Sequence, residues 1–266
     1  MFIRRIVLNH FRNYSQIDVN FGLNRIYITG NNGIGKTNIL ENLNLTLHEG
    51  ELICLLGVSG GGKTTLFNVI AGLNRPQTGK VLLGGEDITG QSGKISYMLQ
   101  KDMLLPFRTV EDNVALPLII KGVKKKEARQ IVGRHFAAFG IDGTQKRYPA
   151  ELSGGMRQRA ALLRTYMFGG SVALLDEPFS ALDTLTKSEM HRWYLDVMDE
   201  IKLSTIFITH DVDEAILLSD RICLLRGRPG TITDEIVIRE PKPRRRDFNL
   251  TEEFLQYKKQ IISKLQ

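Results

Sequence analysis

"ELICLLGVSGGGKTTLFNVIAGL", residues 51–73, decides the fold. An apolar, strand-like run enters a glycine-rich loop, and a helical pattern of about ten residues leaves it and ends near Gly72. Gly57, Gly60, Gly61 and Gly62, with Ser59 among them, let successive backbone N–H groups turn inward around phosphate oxygens. The start of the following helix adds its positive dipole end. Lys63 has the reach for β- and γ-phosphates, the Thr64 hydroxyl suits Mg²⁺, and Thr65 continues the first turn. Strand, loop and helix are all in place, so a working nucleotide site is expected here.

Outward from that loop, short apolar runs alternate with helical patterns. Residues 51–57, 94–100, 171–178, 204–210 and 221–226 read as strands, and their near-continuous apolarity suits a parallel sheet covered on both faces. Lys125 to Phe139 places Ala128, Ile131, Val132, Phe136 and Phe139 on one helical stripe, with Gly140 as the stop. Ser188 to Lys202 does the same with Met190, Trp193, Tyr194, Val197, Met198 and Ile201, which makes the single tryptophan a core residue. The alternation predicts a doubly wound α/β domain. A proline-punctuated stretch, "LLPFRTVEDNVALPL", interrupts it and opens an inserted helical subdomain at about 101–165. After residue 240 the chain turns basic and closes with a helix-like "LTEEFLQYKKQIISKL".

The 266 residues carry a formal charge of +7, with 42% hydrophobic and 24% charged residues. That balance suits a globular protein that favours anionic partners, whether nucleotide, nucleic acid or a membrane surface. No apolar run reaches the ~18 residues of a membrane span, and the N-terminus lacks a signal-peptide core. Cys54 and Cys223 sit in strand-like runs and read as two reduced, buried thiols. The basic clusters at 121–129 and 241–247 read as solvated faces or tails before they read as binding sites.

A phosphate-binding loop alone hydrolyses nothing; the metal needs a second ligand and the water needs orienting. "VALLDEP" supplies both, with Asp176 ending an apolar strand beside the loop and Glu177 next to it to polarise water. Adjacent acids at such a place are costly without a task. "LSGGMRQR", from Leu152, sets Ser153, Gly154 and Gly155 ahead of a helix, a second anion site.

Together these residues resemble the nucleotide-binding subunits of ABC transporters over roughly 37–240. Walker A falls at 57–64, the Q-loop glutamine at Gln100, the signature at 152–156, Walker B at 172–177, the D-loop at 180–183 and the switch histidine at His210. The resemblance implies an α/β fold with a parallel-sheet core, an antiparallel β edge and the inserted helical subdomain. It also implies ATP and Mg²⁺ as cofactors, with Thr64, Gln100 and Asp176 on the metal and Glu177, His210 and Gln100 in catalysis. Two subunits would sandwich two ATP molecules, with Ser153 and Gly155 acting in trans. The stretches "YMLQKDMLLPFRTVEDNVALPL" and "LLRGRPGTITDEIVI" are similar to ATPase subunits of importers for nitrate, sulfonates, taurine and related solutes. In such proteins Leu104 to Asn113 would receive the transmembrane permease and a solute-binding protein would act indirectly. The subunit itself would sit on the cytoplasmic face of the membrane.

Residues 1–42 resemble instead the start of RecF-type recombination ATPases, with their own loop from Gly30 to Thr37. Only about seven residues, two helical turns, follow Thr37 before strands resume. One Walker B, one signature and one switch histidine are present, at the spacing that serves Lys63. The first loop is therefore expected to be a vestigial surface or edge segment, with occasional phosphate binding as the lesser alternative. The adenine-stacking aromatic of transporter ATPases falls near Ile34, with Tyr27 the nearest aromatic, so weaker ATP binding than the family norm is expected. A DNA-repair ATPase is the rival reading; the absence of a coiled-coil or lever insertion argues against it. A non-catalytic module would lack Glu177 or His210, and both are present.

Overall fold

The computed structural model describes residues 28–29, 43–58, 60–180, 182–227, 229–242, 244–245 and 247–266. Ser59, Tyr27, Ile34 and the first loop at Gly30–Thr37 lie outside the described residues. Five parallel strands form most of a six-stranded sheet: β2 (Leu52–Leu56), β5 (Ser96–Met98), β6 (Val172–Asp176), β7 (Ser204–Thr209) and β8 (Arg221–Arg226). Their order is β5-β6-β7-β2-β8, and β9 (Thr231–Val237) closes the edge antiparallel to β8. A smaller antiparallel sheet joins β1 (Ile28–Thr29), β3 (Lys80–Leu83) and β4 (Glu86–Asp87). Parallel core and antiparallel edges are both as expected.

The apolar strands are buried on both sides because successive side chains alternate between two cores. Cys54, Leu56, Leu175, Phe207 and Leu224 enter one core, with the helical face of the molecule. Ile53, Leu55, Leu174, Ile206 and Cys223 enter the other, against Leu66, Phe67 and Ile70 of helix α1 (Lys63–Ile70). The two cysteines are free, buried and on opposite faces of the sheet, so they have no route to each other.

The interrupting segment holds α2 (Val110–Val114), α3 (Leu116–Ile120), α4 (Lys125–Gly133) and α5 (Gly154–Met167). Helix α4 ends at Gly133, six residues before the expected Phe139. Phe136 and Phe139 are nonetheless buried, because turns deliver them to the same core. Conversely, α6 (Thr184–Ile201) starts four residues before Ser188, capped by Asp183 whose Oδ1 accepts from the Thr186 N–H. Trp193 is partly buried; its indole N–H donates to the Ala138 carbonyl at 3.2 Å and Arg159 lies over its ring.

Each basic cluster sends part of its charge into contacts within the chain. Asp112 binds Arg129 through both carboxylate oxygens at 2.8 and 2.9 Å, and Lys125 at 2.9 Å. At the other end Lys242 meets Asp220, Arg245 meets Glu240, and Arg244 donates to the Ser219 carbonyl. The chain then forms α8 (Glu252–Leu265), which packs Phe254 and Ile261 inward against α7 (Val212–Leu218). No helix among the described residues is long and apolar enough to cross a membrane.

Asn113, fully buried, organises the proline-punctuated stretch. Its Oδ1 accepts from the Leu105 N–H, and its Nδ2 donates to the carbonyls of Leu105, Arg108 and Thr109. Asn113→Ala strands these backbone groups, so stability should fall by about 2–3 kcal/mol. Urea unfolding reads this as a lower midpoint at unchanged slope; an unchanged midpoint would show that the loop does not depend on Asn113.

Candidate active site

Adjacent strands β6, β7 and β2 end at the same edge of the sheet, and each exports one chemical element there. This is the carboxyl edge of an open parallel sheet, where ligands bind. The glycine-rich loop leaves β2, Asp176 and Glu177 end β6, and His210 follows β7. Glycine at position 57 is obligatory: a Cβ there would stand 2.3 Å from the Leu225 carbonyl oxygen of β8. Gly62, at φ 92°, takes the left-handed turn that launches α1.

Lys63 heads that helix and is only 7% exposed. Its ammonium donates to the loop's own Gly57 and Val58 carbonyls at 2.7 and 2.9 Å. Burial pulls its pKa below the usual lysine value, while Glu177 and Asp176 work in the opposite direction. The Thr64 hydroxyl donates to Asp176 Oδ2 at 3.0 Å. Burial pushes the Asp176 carboxyl above its ordinary range, partly offset by that hydrogen bond.

Glu177 adopts φ 48°, uncommon for a residue with a side chain. Its N–H donates to the Ile208 carbonyl at 3.0 Å, which fixes the turn. The carboxylate is then held from two sides: Gln100 Nε2 donates to Oε2 at 3.0 Å, and His210 Nδ1 lies 3.4 Å from Oε1. Lys63, Thr64, Asp176, Glu177, Gln100 and His210 are thus one cluster. It sets two carboxylates against one buried lysine, an imbalance that a cation relieves. Hard oxygen donors from Thr64 and Asp176 suit Mg²⁺. Among the described residues no group of three or more His, Cys, Asp and Glu forms a closed metal cage.

Ser153, Gly154 and Gly155 stand elsewhere, at the start of α5. Ser153 caps the helix, its hydroxyl accepting from the Met156 N–H at 3.3 Å. Among the described residues no hydrogen bond joins them to the Lys63 cluster. Sequence reasoning missed a second group behind His210: Lys187, His191, Asp211 and Glu214, where Lys187 Nζ lies 3.1 Å from Asp211. The i, i+4 spacing of Lys187 and His191 on one helical face was the available signal.

A profile of the ABC transporter family matches residues 40–180. The formylaminopyrimidine import ATP-binding protein ThiZ of Halalkalibacterium halodurans is 41% identical over 223 residues, 84% of this chain and 86% of that protein. The nitrate import ATP-binding protein NrtD of Synechocystis is 36% identical over 249 residues, 91% of this chain and 92% of that one. A dimeric ATP-binding cassette solved in a post-hydrolysis state with ADP and Pi superposes with a TM-score of 0.69 at 27% identity, over 80% of this chain and 99% of that chain. The repair-ATPase alternative finds no support among these relatives. The chain belongs to the ABC transporter family, as an ATP-binding cassette whose hydrolysis of ATP drives transport.

Proposed function

We propose that this cassette works with one nucleotide site, at Lys63, and powers uptake of a small solute through a membrane permease. The observation that carries the reading is the convergence of Thr64 with Asp176, and of Gln100 and His210 on Glu177. In this reading Lys63 exchanges the carbonyls of Gly57 and Val58 for the β- and γ-phosphates, and Ser59, Gly60, Gly61, Gly62 and Thr65 cradle them. Thr64, Asp176 and Gln100 would hold Mg²⁺, which supplies charge neutralisation between the phosphates. Glu177 orients and deprotonates the attacking water, and His210 donates toward the γ-phosphate. Ser153, Gly154 and Gly155 complete the site of a second copy, consistent with their separation from the cluster in their own chain.

The cassette then spans 43–240, with its helical subdomain at about 101–165, and the 241–266 segment packs on it. The stretch expected to dock the permease, Leu104 to Asn113, is only partly available, since Leu104, Val110, Asp112 and Asn113 are buried. Phe107 is 73% exposed and Met103 54%, and Leu99 beside Gln100 is also exposed. These three form the apolar docking points. Arg164 of α5 donates to the carbonyls of Asp102 and Met103, so the docking loop is tied to the helix that carries the signature. A permease partner places the cassette on the cytoplasmic face of a membrane. The relatives are import ATP-binding proteins for formylaminopyrimidine, nitrate and aliphatic sulfonates, which supports a small polar or anionic solute; in this reading a solute-binding protein delivers it to the permease.

Lys63→Ala should abolish ATP turnover and weaken ATP binding, while Lys36→Ala leaves both intact. Loss of binding in Lys36→Ala alone would move the site to the first loop. Phe107→Asp should leave the turnover of the purified cassette within about twofold of wild type and cut solute uptake by the assembled transporter about tenfold or more, the cost of burying an unpaired charge. Undiminished uptake would remove Phe107 from the docking surface.

A further inference from the structure

We propose that Lys187 is a positioning residue for hydrolysis, linking the D-loop to the loop that carries His210. The proposal rests on the reading of His210 and the D-loop given above and assigns them a mechanical connection. Helix α6 begins directly after the D-loop. Asp183 accepts the Lys187 N–H through its carbonyl at 2.8 Å and the Thr186 N–H through its carboxylate at 3.1 Å. Lys187 is therefore rigidly joined to the D-loop through the first turn of the helix.

Its ammonium reaches across to the residue after His210. Asp211 divides its carboxylate between two elements: Oδ1 accepts from the N–H groups of Asp213 and Glu214, capping α7, and Oδ2 accepts from Lys187 Nζ at 3.1 Å. The Asp211 N–H donates to the Thr209 hydroxyl, fixing the end of β7. One turn along α6, His191 Nε2 lies 3.5 Å from Glu214 Oε2, and Lys187 Nζ lies 3.8 Å from the same oxygen. Glu214 is 2% exposed, with its Oε1 buried and without a hydrogen-bond partner. Phe179, on the segment leading into the D-loop, packs edge-on against His191 at 5.0 Å.

One ammonium thus lies 3.1 Å from partly exposed Asp211 and 3.8 Å from buried Glu214, and removing it takes away the contact that holds both carboxylates to α6. The His210 side chain itself is 58% exposed. Its position is set by its neighbour Asp211, and Asp211 is set by Lys187. A displacement of the D-loop by a second copy is carried by α6 to His210, and so to the 3.4 Å contact with Glu177. The shift passes through the backbone of the first turn of α6 and the Lys187–Asp211 contact, a point contact that leaves the histidine itself unlocked.

The test compares Lys187→Met, Lys187→Gln and Lys187→Arg with His210→Ala in the purified full chain. It measures kcat, KM, dissociation of a fluorescent ATP analogue, and thermal midpoint. Lys187→Gln is one bond shorter but keeps a hydrogen-bond donor at the end of the side chain, which guards against a simple folding failure. The expected result is a kcat lowered about tenfold or more in Met and Gln, as a small misplacement of a catalytic group produces. Analogue affinity stays within about twofold, and Arg recovers most of the loss. Unchanged kcat per folded molecule, even with a lowered thermal midpoint, overturns the proposal in favour of a purely structural clip. Affinity falling in step with kcat overturns it too. Full turnover in His210→Ala would sink the reading of His210, and the proposal with it; an inactive His210→Ala beside an unimpaired Lys187→Gln sinks the proposal alone.

Discussion

A hydrogen bond between the Thr64 hydroxyl and the Asp176 carboxylate joins residues 112 positions apart at 3.0 Å. It exists because β7 alone separates β2 from β6 in the sheet order, and all three strands run the same way. Every chemical group of the site hangs from that arrangement. The order brings the glycine-rich loop, the two acids and His210 to one edge, where the helix start of α1 already favours an anion. A sheet with β2 at its margin would keep each motif and lose the site.

Charge is distributed with the same economy. The surplus of +7 suggests an anion-binding surface, yet each of the two conspicuous basic clusters closes part of its charge on carboxylates within the chain. Arg129 and Lys125 close on Asp112, and hydrogen bonding to Arg129 holds its carboxyl down at about 2. Lys242 and Arg245 close on Asp220 and Glu240. At the nucleotide cluster charge is left unbalanced inside the fold, where burial raises Asp176 and lowers Lys63 together. Stability is given up there in favour of a ligand's charge.

Much of this was legible in the sequence, for identifiable reasons. Continuous apolar strands and the glycine-rich loop are local signals, so the parallel core and the place of Lys63 could be read directly. The helix over Lys125 to Phe139 could not, because burial of Phe136 and Phe139 follows the same spacing whether turns or a helix deliver them. The meeting of Gln100 and His210 on Glu177 spans 77 and 33 residues; the family resemblance put all three in one catalytic set without anticipating these contacts. Lys187 carried only the weak signal of its i, i+4 spacing to His191: a lysine on a polar helix face reads as solvated until Asp211 is seen across from it. The resemblance of residues 1–42 to RecF-type ATPases precedes nearly all of the matched family region and most of the described residues.

The signature residues Ser153 to Gly155 cap α5 away from the cluster they are expected to serve, so the central claim is that a complete site needs two copies. Mixing separately inactive Lys63→Ala and Ser153→Arg chains tests it most directly. If the signature acts in trans, the mixed pair contains one site with both halves intact, and ATP hydrolysis should return well above either variant alone. If the mixture stays as inactive as its components while each variant still folds and pairs, the signature serves its own chain and the two-copy account is wrong.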